Sequence, residues 1–253
     1  DHESGWSTRN YLDYLDRPSW VDYHLINTFV KNTDAFWRST YFTKDRDGRI
    51  FAGPVWDYDR SMDSTDPRDD HWDTWEPTRY TAQGFAVQYW DNGWWGVLAR
   101  DPDFMQAWVD RWQSLRRSEF SDANLAGLVS NFASQIGSAA AARDAARWPD
   151  NQSVHGDFAA EIDHLSKWLT QRARWIDGQF IAAPVLKLRA GTLTVVPAAG
   201  TVLAYTLDGT DPRRSGGELA PGALTSEAPL SLQNFALLRV RSYAADHLSD
   251  FPG

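Results

Sequence analysis

Tryptophan is confined to one part of this 253-residue chain, and that asymmetry limits the folds available to it. All 14 Trp residues lie between Trp6 and Trp175. Beyond Phe180 the aromatic residues are Tyr205, Phe235, Tyr243 and Phe251. Because aromatic side chains supply much of the buried area of a core, the two parts need cores of different composition. The sequence therefore predicts two domains, residues 1–182 and 183–253.

Charge changes at the same boundary. The net charge is −9, whereas residues 184–253 contain six acidic and six basic residues, so the negative charge belongs to the first part. An acidic balance argues against a nucleic-acid partner, because phosphate binding needs a basic surface. The absence of Cys excludes thiol catalysis, zinc–thiolate sites and disulfides. No apolar run approaches the roughly 20 residues of a membrane span.

Helical periodicity dominates the first part. Helices are predicted over residues 19–31, 101–115, 121–147 and 158–176. The first starts at Ser19, which has Asp22 three residues later, as in a capping box. The predicted buried stripes of the other three contain Phe104, Trp108, Trp112, Leu115, Leu125, Leu128, Val129, Phe132, Ile136, Phe158, Ile162, Leu165, Leu169 and Ile176. Such stripes usually face the core, so we expect their Trp residues to pack in the core and not to stack on a ligand.

A predicted hairpin brings two loops together. Extended runs at 40–44 and 49–52 flank the turn sequence 45–48, Asp-Arg-Asp-Gly. Since a hairpin places its ends side by side, Asp34 before it and Asp57 after it are expected to be neighbours. Two converging carboxylates can bind a divalent cation, or one can accept a proton while the other binds metal. A purely structural role for Asp34 is the alternative, because loop Asp residues often stabilise turns.

Several short sequence blocks carry a family resemblance. They are Ser19-Trp20-Val21-Asp22-Tyr23, Asn32-Thr33-Asp34, Ser39-Thr40-Tyr41, Lys44-Asp45, Gly53-Pro54-Val55-Trp56-Asp57-Tyr58-Asp59, Trp94-Trp95, Leu98, Asp101-Pro102-Asp103-Phe104 and Arg111-Trp112. Together they resemble the spore-coat CotH family of atypical, secreted protein kinases over roughly residues 10–180. The resemblance implies an α+β fold in which a mostly helical, kinase-like C-terminal lobe contains the hairpin.

The resemblance also implies roles for five polar residues. Asp34 corresponds to the catalytic-loop Asp, which accepts the proton of the substrate hydroxyl, and Asn32 lies in the same loop. Asp57 corresponds to the metal-binding Asp, with Asp59 as an accessory ligand. Ser39 stands five residues after Asp34, where kinases supply a metal-binding Asn. A hydroxyl is a weaker ligand for a hard cation than an amide carbonyl, so this position departs from the kinase pattern.

The implied activity is transfer of the ATP γ-phosphoryl group to a protein hydroxyl, with Mg²⁺ or Mn²⁺, at the cell surface or outside the cell. Kinases also need a Gly-rich loop and a strand Lys upstream of the catalytic loop. Only 33 residues precede Asp34, and Gly5 is their only glycine. We therefore expect a missing N-terminal lobe, supplied by another part of the same protein or by a second polypeptide. The alternative is a catalytically inactive surface-assembly module that binds glycan or protein.

Two surface features surround the Asp57 segment. An apolar edge that the N-terminal lobe or second polypeptide covers is expected beside this segment and near the chain start. Its expected members are Pro54, Val55, Trp56, Trp6, Tyr11, Leu12, Tyr14 and Leu15. Residues 57–76 contain eight acidic residues and two basic ones. Such a run can bind a cation or a basic substrate, but charge runs usually serve solubility. A solvated acidic loop is therefore the favoured expectation.

Short strands separated by Gly, Pro and Asp clusters are predicted in the last domain. They cover residues 192–196, 202–206 and 237–243, a pattern typical of a small antiparallel sandwich. The run from Tyr205 to Arg213 and the run from Val240 to Tyr243 resemble the chitobiase/hexosaminidase C-terminal domain, an immunoglobulin-like module of secreted bacterial proteins. This resemblance implies no catalytic role, so a spacer or attachment role is expected.

Overall fold

The chain forms two compact units that contain both helices and antiparallel sheets, which confirms the predicted α+β class. A computed structural model describes residues 10–75, 89–90, 93–149, 154–233 and 237–244. The first unit is Asp1–Gly96 with Asp110–Trp175, and the second is Val97–Val109 with Ile176–Gly253. Among the described helices, none is both long and apolar enough to cross a membrane.

Five α-helices lie in the described residues. They are α1 (Arg17–Phe29), α2 (Gly93–Ala99), α3 (Pro102–Arg116), α4 (Asp122–Arg147) and α5 (Phe158–Asp177), and a short 3-10 helix (Tyr11–Asp13) precedes α1. Four of the five were predicted. The sequence did not predict α2, because seven residues make too few turns for a periodic pattern.

The start of α1 differs from the prediction. Asp16 is the N-cap: its Oδ1 accepts a hydrogen bond from the Ser19 backbone N–H at 3.0 Å. Pro18 lies in the first turn, where a missing N–H costs nothing. The Ser19 hydroxyl accepts a hydrogen bond from Ala52 N at 3.1 Å and so joins α1 to the hairpin. The capping box predicted at Ser19 and Asp22 is therefore wrong, and α1 ends at Phe29 rather than near residue 31.

The predicted buried stripes are confirmed for α3 and only partly for α4. Phe104, Trp108, Trp112 and Leu115 of α3 are all buried. In α4, Leu125 and Val129 are buried, whereas Leu128, Phe132 and Ile136 are 43%, 58% and 54% exposed. The backbone of α4 also leaves helical geometry at Gly137, where φ is 71°. Periodicity thus located this helix but overestimated how much of its apolar face is covered.

The hairpin is confirmed. Its strands are β1 (Phe42–Thr43) and β2 (Phe51–Ala52), which pair antiparallel with Phe42 opposite Ala52. Gly48 N donates to Asp45 O at 3.1 Å and closes the turn. The hairpin therefore brings the segment that follows it back toward the loop that precedes it.

Aromatic side chains in the core of the first unit surround Arg172. Trp20 packs on Trp95 with ring centroids 4.8 Å apart, and Phe29 packs on Trp112 at 5.4 Å. Arg172 of α5 is fully buried. Its guanidinium donates to the carbonyls of Thr28, Phe29, Trp72 and Thr74. It therefore satisfies the last carbonyls of α1 and ties α5 to residues 72–74.

The described residues of the second unit form two three-stranded antiparallel sheets. Their strands are β3 (Val185–Arg189), β4 (Thr192–Val196), β5 (Val202–Thr206), β6 (Leu224–Ser226), β7 (Leu230–Leu232) and β8 (Arg239–Tyr243), in the orders β3-β4-β7 and β6-β5-β8. Leu193 and Val195 from one sheet form a buried cluster with Leu203 from the other. The bounds of β4 and β5 match the prediction, whereas β3, β6 and β7 were not predicted. The sandwich and its likeness to the chitobiase C-terminal domain stay predictions.

The second unit also includes the first turns of α3. Asp103 accepts hydrogen bonds from Arg213 Nη1 at 2.5 Å, from Gly216 N at 3.1 Å and from the Ser215 hydroxyl. Burial alone would raise the pKa of Asp103, but these three bonds together hold it below its ordinary value. This carboxylate therefore fastens residues 102–109 to the loop after β5.

Candidate active site

The two loops that carry the candidate residues lie side by side. Thr33 N donates to Arg60 O at 3.1 Å, and Met62 N donates to Val30 O at 3.0 Å. These bonds place the segment after the hairpin against the end of α1. The expected meeting of the loop before the hairpin with the segment after it is therefore confirmed.

Asn32 connects the two loops through its side-chain amide. It is buried, with 1% of its surface exposed. Its Oδ1 accepts a hydrogen bond from Asp34 N at 3.1 Å, and its Nδ2 donates to Asp57 O and to Asn27 Oδ1, both at 3.2 Å. Because these three bonds occupy both ends of the amide, Asn32 fixes the backbones of Asp34 and Asp57 relative to each other.

Ser39 and Asp57 present two oxygen atoms next to each other. Ser39 Oγ donates to Asp57 Oδ2 at 3.0 Å. Both backbones lie in the left-handed region, with φ of 44° and 65°, which costs roughly 1–2 kcal/mol for residues other than Gly. The Asp57 side chain is exposed. The pair is therefore exposed, and a hydrogen bond joins its two side chains.

Asp34 faces a buried ion pair. Arg68 Nη2 lies 3.9 Å from Asp34 Oδ1. Arg68 also binds Asp66 as a fork, with Nε 2.8 Å from Oδ1 and Nη2 2.6 Å from Oδ2. The hydrogen bond to Asp66 raises the pKa of Arg68. Burial alone would raise the pKa of Asp66, but its bonds to Arg68 hold that pKa below its ordinary value.

This arrangement corrects the expectation of a solvated acidic loop. Asp66, Arg68 and Asp69 are 8%, 3% and 0% exposed, so the middle of the segment is buried. The number of charged residues in the segment could not predict this burial, because it does not show that Arg68 points inward and pairs with Asp66. Glu76, the last acidic residue of the run, lies outside the described residues.

Asp59 is the one candidate that stands apart. It is exposed, and the hydrogen bonds of the described residues do not link it to Asp34, Asp57 or Ser39. The structure thus joins Asn32, Asp34, Ser39 and Asp57 in one bonded group and leaves Asp59 at its edge.

Comparison with known proteins adds one finding. The family described as CotH kinase protein matches residues 3–176. The chain belongs to the CotH kinase family. Searches of curated proteins and of solved structures gave no match. The CotH match covers both loops of the bonded group and ends before β3, so the second unit lies mostly beyond it.

Two residues of the candidate site were missed by sequence reasoning. Asn27 accepts a hydrogen bond from Asn32 and anchors it to α1, and Arg68 faces Asp34. Arg68 carried a weak signal, since it is one of two basic residues within an acidic run. Asn27 carried none, because an Asn inside a helix is usually explained by solvent exposure.

Aromatic side chains line a pocket that includes part of the Asp34 loop. A pocket of about 370 Å³ is lined by Phe36, Trp37, Thr40, Phe42, Gly93, Trp94 and Trp95. Val55 and Trp56 are 53% and 57% exposed, as expected for an uncovered apolar edge. Trp6, another expected member of that edge, lies outside the described residues.

Proposed function

We propose that this CotH kinase family member transfers the γ-phosphoryl group of ATP to a hydroxyl group of a protein substrate. The observation that carries the proposal is the bonded group around Asn32. A single side chain fixes the backbones of Asp34 and Asp57, the two residues that the family resemblance assigns to proton acceptance and metal binding. Phosphoryl transfer depends mainly on positioning and charge stabilisation, so rigid placement of these carboxylates suits this reaction.

The residues fit a hard divalent cation. Asp57 offers an exposed carboxylate, and the Ser39 hydroxyl lies 3.0 Å from it. Mg²⁺ and Mn²⁺ prefer such oxygen ligands. A cation held by Asp57 and Ser39, with Asp59 as an accessory ligand, would neutralise charge on the nucleotide phosphates.

In the proposed mechanism Asp34 orients the acceptor hydroxyl. Arg68 and the Asn32 amide hold Asp34 in place from two sides. The hydroxyl oxygen attacks the γ-phosphorus, the bond from that phosphorus to the β–γ bridging oxygen breaks, and the hydroxyl proton passes to the Asp34 carboxylate. Asn32 acts through Asp34 and Asp57 and is therefore a positioning residue in this mechanism.

We further propose that the nucleotide-binding lobe comes from an N-terminal part of the same protein or from a second polypeptide. We also propose that the protein acts at the cell surface or outside the cell. The exposed Val55 and Trp56 support a covering lobe, because they extend the apolar surface beside Asp57. The secreted character of the spore-coat CotH family supports the location.

The test is phosphoryl transfer from labelled ATP by the gene product that contains this chain, with Mn²⁺ or Mg²⁺. Asp34→Asn and Asp57→Asn are each expected to lower the rate at least about 100-fold, since each removes a carboxylate used in the transition state. Asp47→Asn is the matched control, because Asp47 is exposed in the hairpin turn. Its rate should stay within about twofold of wild type.

Equal rates for wild type and Asp57→Asn would contradict the proposal. Far-UV circular dichroism of each variant shows whether a lost rate reflects lost folding. Ser39→Asn restores the amide of the kinase pattern and should lower the Mn²⁺ concentration needed for half-maximal transfer.

Exposed aromatic residues favour a second candidate function, a catalytically inactive module that binds glycan or protein. Trp37, Trp56 and Trp94 are 39%, 57% and 65% exposed, and such rings can stack on ligands. This candidate requires that the wild type transfer no phosphate and that an oligosaccharide or a protein ligand shift its Trp fluorescence. Transfer that is lost in Asp57→Asn would exclude it.

A further inference from the structure

Three side chains of the first unit converge away from the candidate active site. Asp63 follows the Asp57 loop, His155 precedes α5, and His164 lies in α5. Asp63 Oδ2 is 2.9 Å from His164 Nε2 and 3.3 Å from His155 Nε2. One ligand atom from each residue lies within 4.8 Å of the other two. Carboxylate oxygen and imidazole nitrogen are both common metal ligands.

The contact between His164 and Asp63 does not have the geometry of a hydrogen bond. His164 Nε2 is buried and has no hydrogen-bond partner among the described residues, although Asp63 Oδ2 is only 2.9 Å away. The oxygen therefore lies off the direction in which an N–H would point. The His155 and His164 rings also stack, with centroids 3.5 Å apart and planes 9° apart. The stack holds the two rings side by side, so that Nε2 of each lies close to the same Asp63 oxygen.

A second carboxylate fixes one of the rings. Glu161 Oε2 lies 3.0 Å from His155 Nδ1, and Glu161 Oε1 accepts a hydrogen bond from His155 N at 2.7 Å. A proton on Nδ1 donates to Glu161 and leaves the Nε2 lone pair directed at Asp63. This carboxylate–imidazole arrangement commonly supports metal-binding His residues.

The local chain builds this support. Asp157 accepts a hydrogen bond from Ala160 N at 2.9 Å and caps the start of α5. Glu161 and His164 follow three residues apart, so they lie on one face of the helix. The first turns of α5 therefore present one ligand and the group that orients the other His.

We propose that Asp63, His155 and His164 bind one divalent transition-metal ion of the zinc class. Two imidazole nitrogens and one carboxylate oxygen suit Zn²⁺ and its neighbours in the first transition row, whereas Mg²⁺ and Ca²⁺ prefer all-oxygen sites. The site is distinct from the one proposed at Asp57, since the two share no residue.

The site would fasten the segment after Asp57 to α5. Met62 and Asp63 both have positive φ, 62° and 63°, and a metal bond at Asp63 offsets the cost of that backbone. The same segment carries Arg68, which faces Asp34. The ion would therefore hold the loop that supports the candidate active site without taking part in its chemistry.

The test is a Co²⁺ titration of the 253-residue chain, followed by visible absorption, with Zn²⁺ as competitor. Wild type is expected to bind one Co²⁺ with mixed nitrogen and oxygen ligands and to release it to Zn²⁺. Glu161→Gln should weaken binding by about 10- to 100-fold. His164→Gln and Asp63→Asn should weaken it more than Glu161→Gln, because each removes a ligand.

Two variants control for other sites. His71→Gln removes an exposed His whose Nδ1 lies 3.6 Å from Asp73, and Asp57→Asn removes the ligand of the proposed nucleotide metal. Both should bind Co²⁺ as wild type does. Folding of each variant is checked by circular dichroism. If one variant folds poorly, the others still test the proposal, because Co²⁺ binding should be weaker in His164→Gln than in Glu161→Gln.

Absence of a Co²⁺ band in wild type would overturn the proposal and leave the cluster an Asp–His contact only. An unchanged band in both His164→Gln and Asp63→Asn would also overturn it. Equal weakening in His71→Gln would show non-specific binding to surface His residues.

Discussion

At the scale of single residues, two buried titratable groups of the first unit, His24 and Asp69, have opposite effects on stability as the pH falls. His24 Nε2 lies 2.7 Å from Tyr89 O, and its Nδ1 lies 3.2 Å from the Thr28 hydroxyl. Burial lowers the pKa of His24 to about 4, although the bond to Tyr89 favours the charged ring. Burial raises the pKa of Asp69 to about 6, and this outweighs its hydrogen bonds with Ser64.

These shifts have opposite effects on the free energy of unfolding. As pH falls from about 6.5 to about 4, the unfolded chain takes up a proton at His24 that the folded chain does not bind, so the fold is destabilised. As pH falls from about 6 to about 4, the folded chain holds a proton at Asp69 that the unfolded carboxylate does not yet bind, so the fold is stabilised. Each effect is at most about 1.4 kcal/mol per pH unit.

We therefore predict that Asp69→Asn makes the chain more sensitive to acid. Between pH 6 and pH 4 its free energy of unfolding should fall more steeply than that of wild type, because the compensation is removed. His24→Gln should change the slope in the opposite direction. Urea unfolding at pH 6, 5 and 4 measures both slopes, and three parallel profiles would contradict the prediction.

At the scale of elements, α4 contains two glycines in different backbone states. Gly137 has φ of 71° and breaks the helix, whereas Gly127 lies in a regular helical turn. Apart from the adjacent residues and the nearby backbone of α4 itself, no heavy atom of the described residues lies within 4 Å of a Cβ built on either glycine. Any difference between their Ala variants therefore reflects backbone conformation and not steric crowding.

We predict that the same substitution has opposite signs at these two positions. Gly127→Ala should raise the free energy of unfolding by about 0.5–1 kcal/mol, because Ala loses less backbone entropy in a helix. Gly137→Ala should lower it by about 1–3 kcal/mol, because an L side chain disfavours that φ. Chemical denaturation measures both, and stabilisation by Gly137→Ala would show that the break in α4 is dispensable.

At the scale of the whole molecule, the two compact units do not follow the order of the chain. Residues 97–109 belong to the second unit together with residues 176–253, although more than half of the first unit precedes them in sequence. Asp103 is a polar link within this grouping, through Arg213, Ser215 and Gly216. The boundary predicted near Ala182 stays a prediction, which limited proteolysis near that residue tests.

We predict that Asp103→Asn loosens the second unit locally. Loss of hydrogen bonds to a charged acceptor costs about 1.5–3 kcal/mol, so amide exchange should rise in residues 97–109 and around Arg213. Asp163→Asn is the control, since Asp163 makes an exposed pair with Lys167 and such pairs contribute little. Hydrogen exchange measured by mass spectrometry follows both variants. Equal exchange in the two variants would contradict a special role for Asp103.

Local patterns in the sequence determined most elements and the position of the candidate site. The spacing of apolar residues predicted four helices, and the Asp-Gly turn predicted the hairpin that brings the Asp57 segment to the Asp34 loop. These features depend on neighbours a few residues away, so they can be recognised without a fold. The CotH blocks were recognised for the same reason.

Only the tertiary structure decided which side chains meet across long stretches of chain. It paired Arg68 with Asp66 and Asp34, left Leu128, Phe132 and Ile136 of α4 exposed, and brought Asp63 to His155 and His164. Such contacts depend on how elements pack, and a stripe or a charge run has the same sequence signal whether or not a partner covers it. The sequence by itself therefore determined what each segment forms, and packing decided what each segment touches.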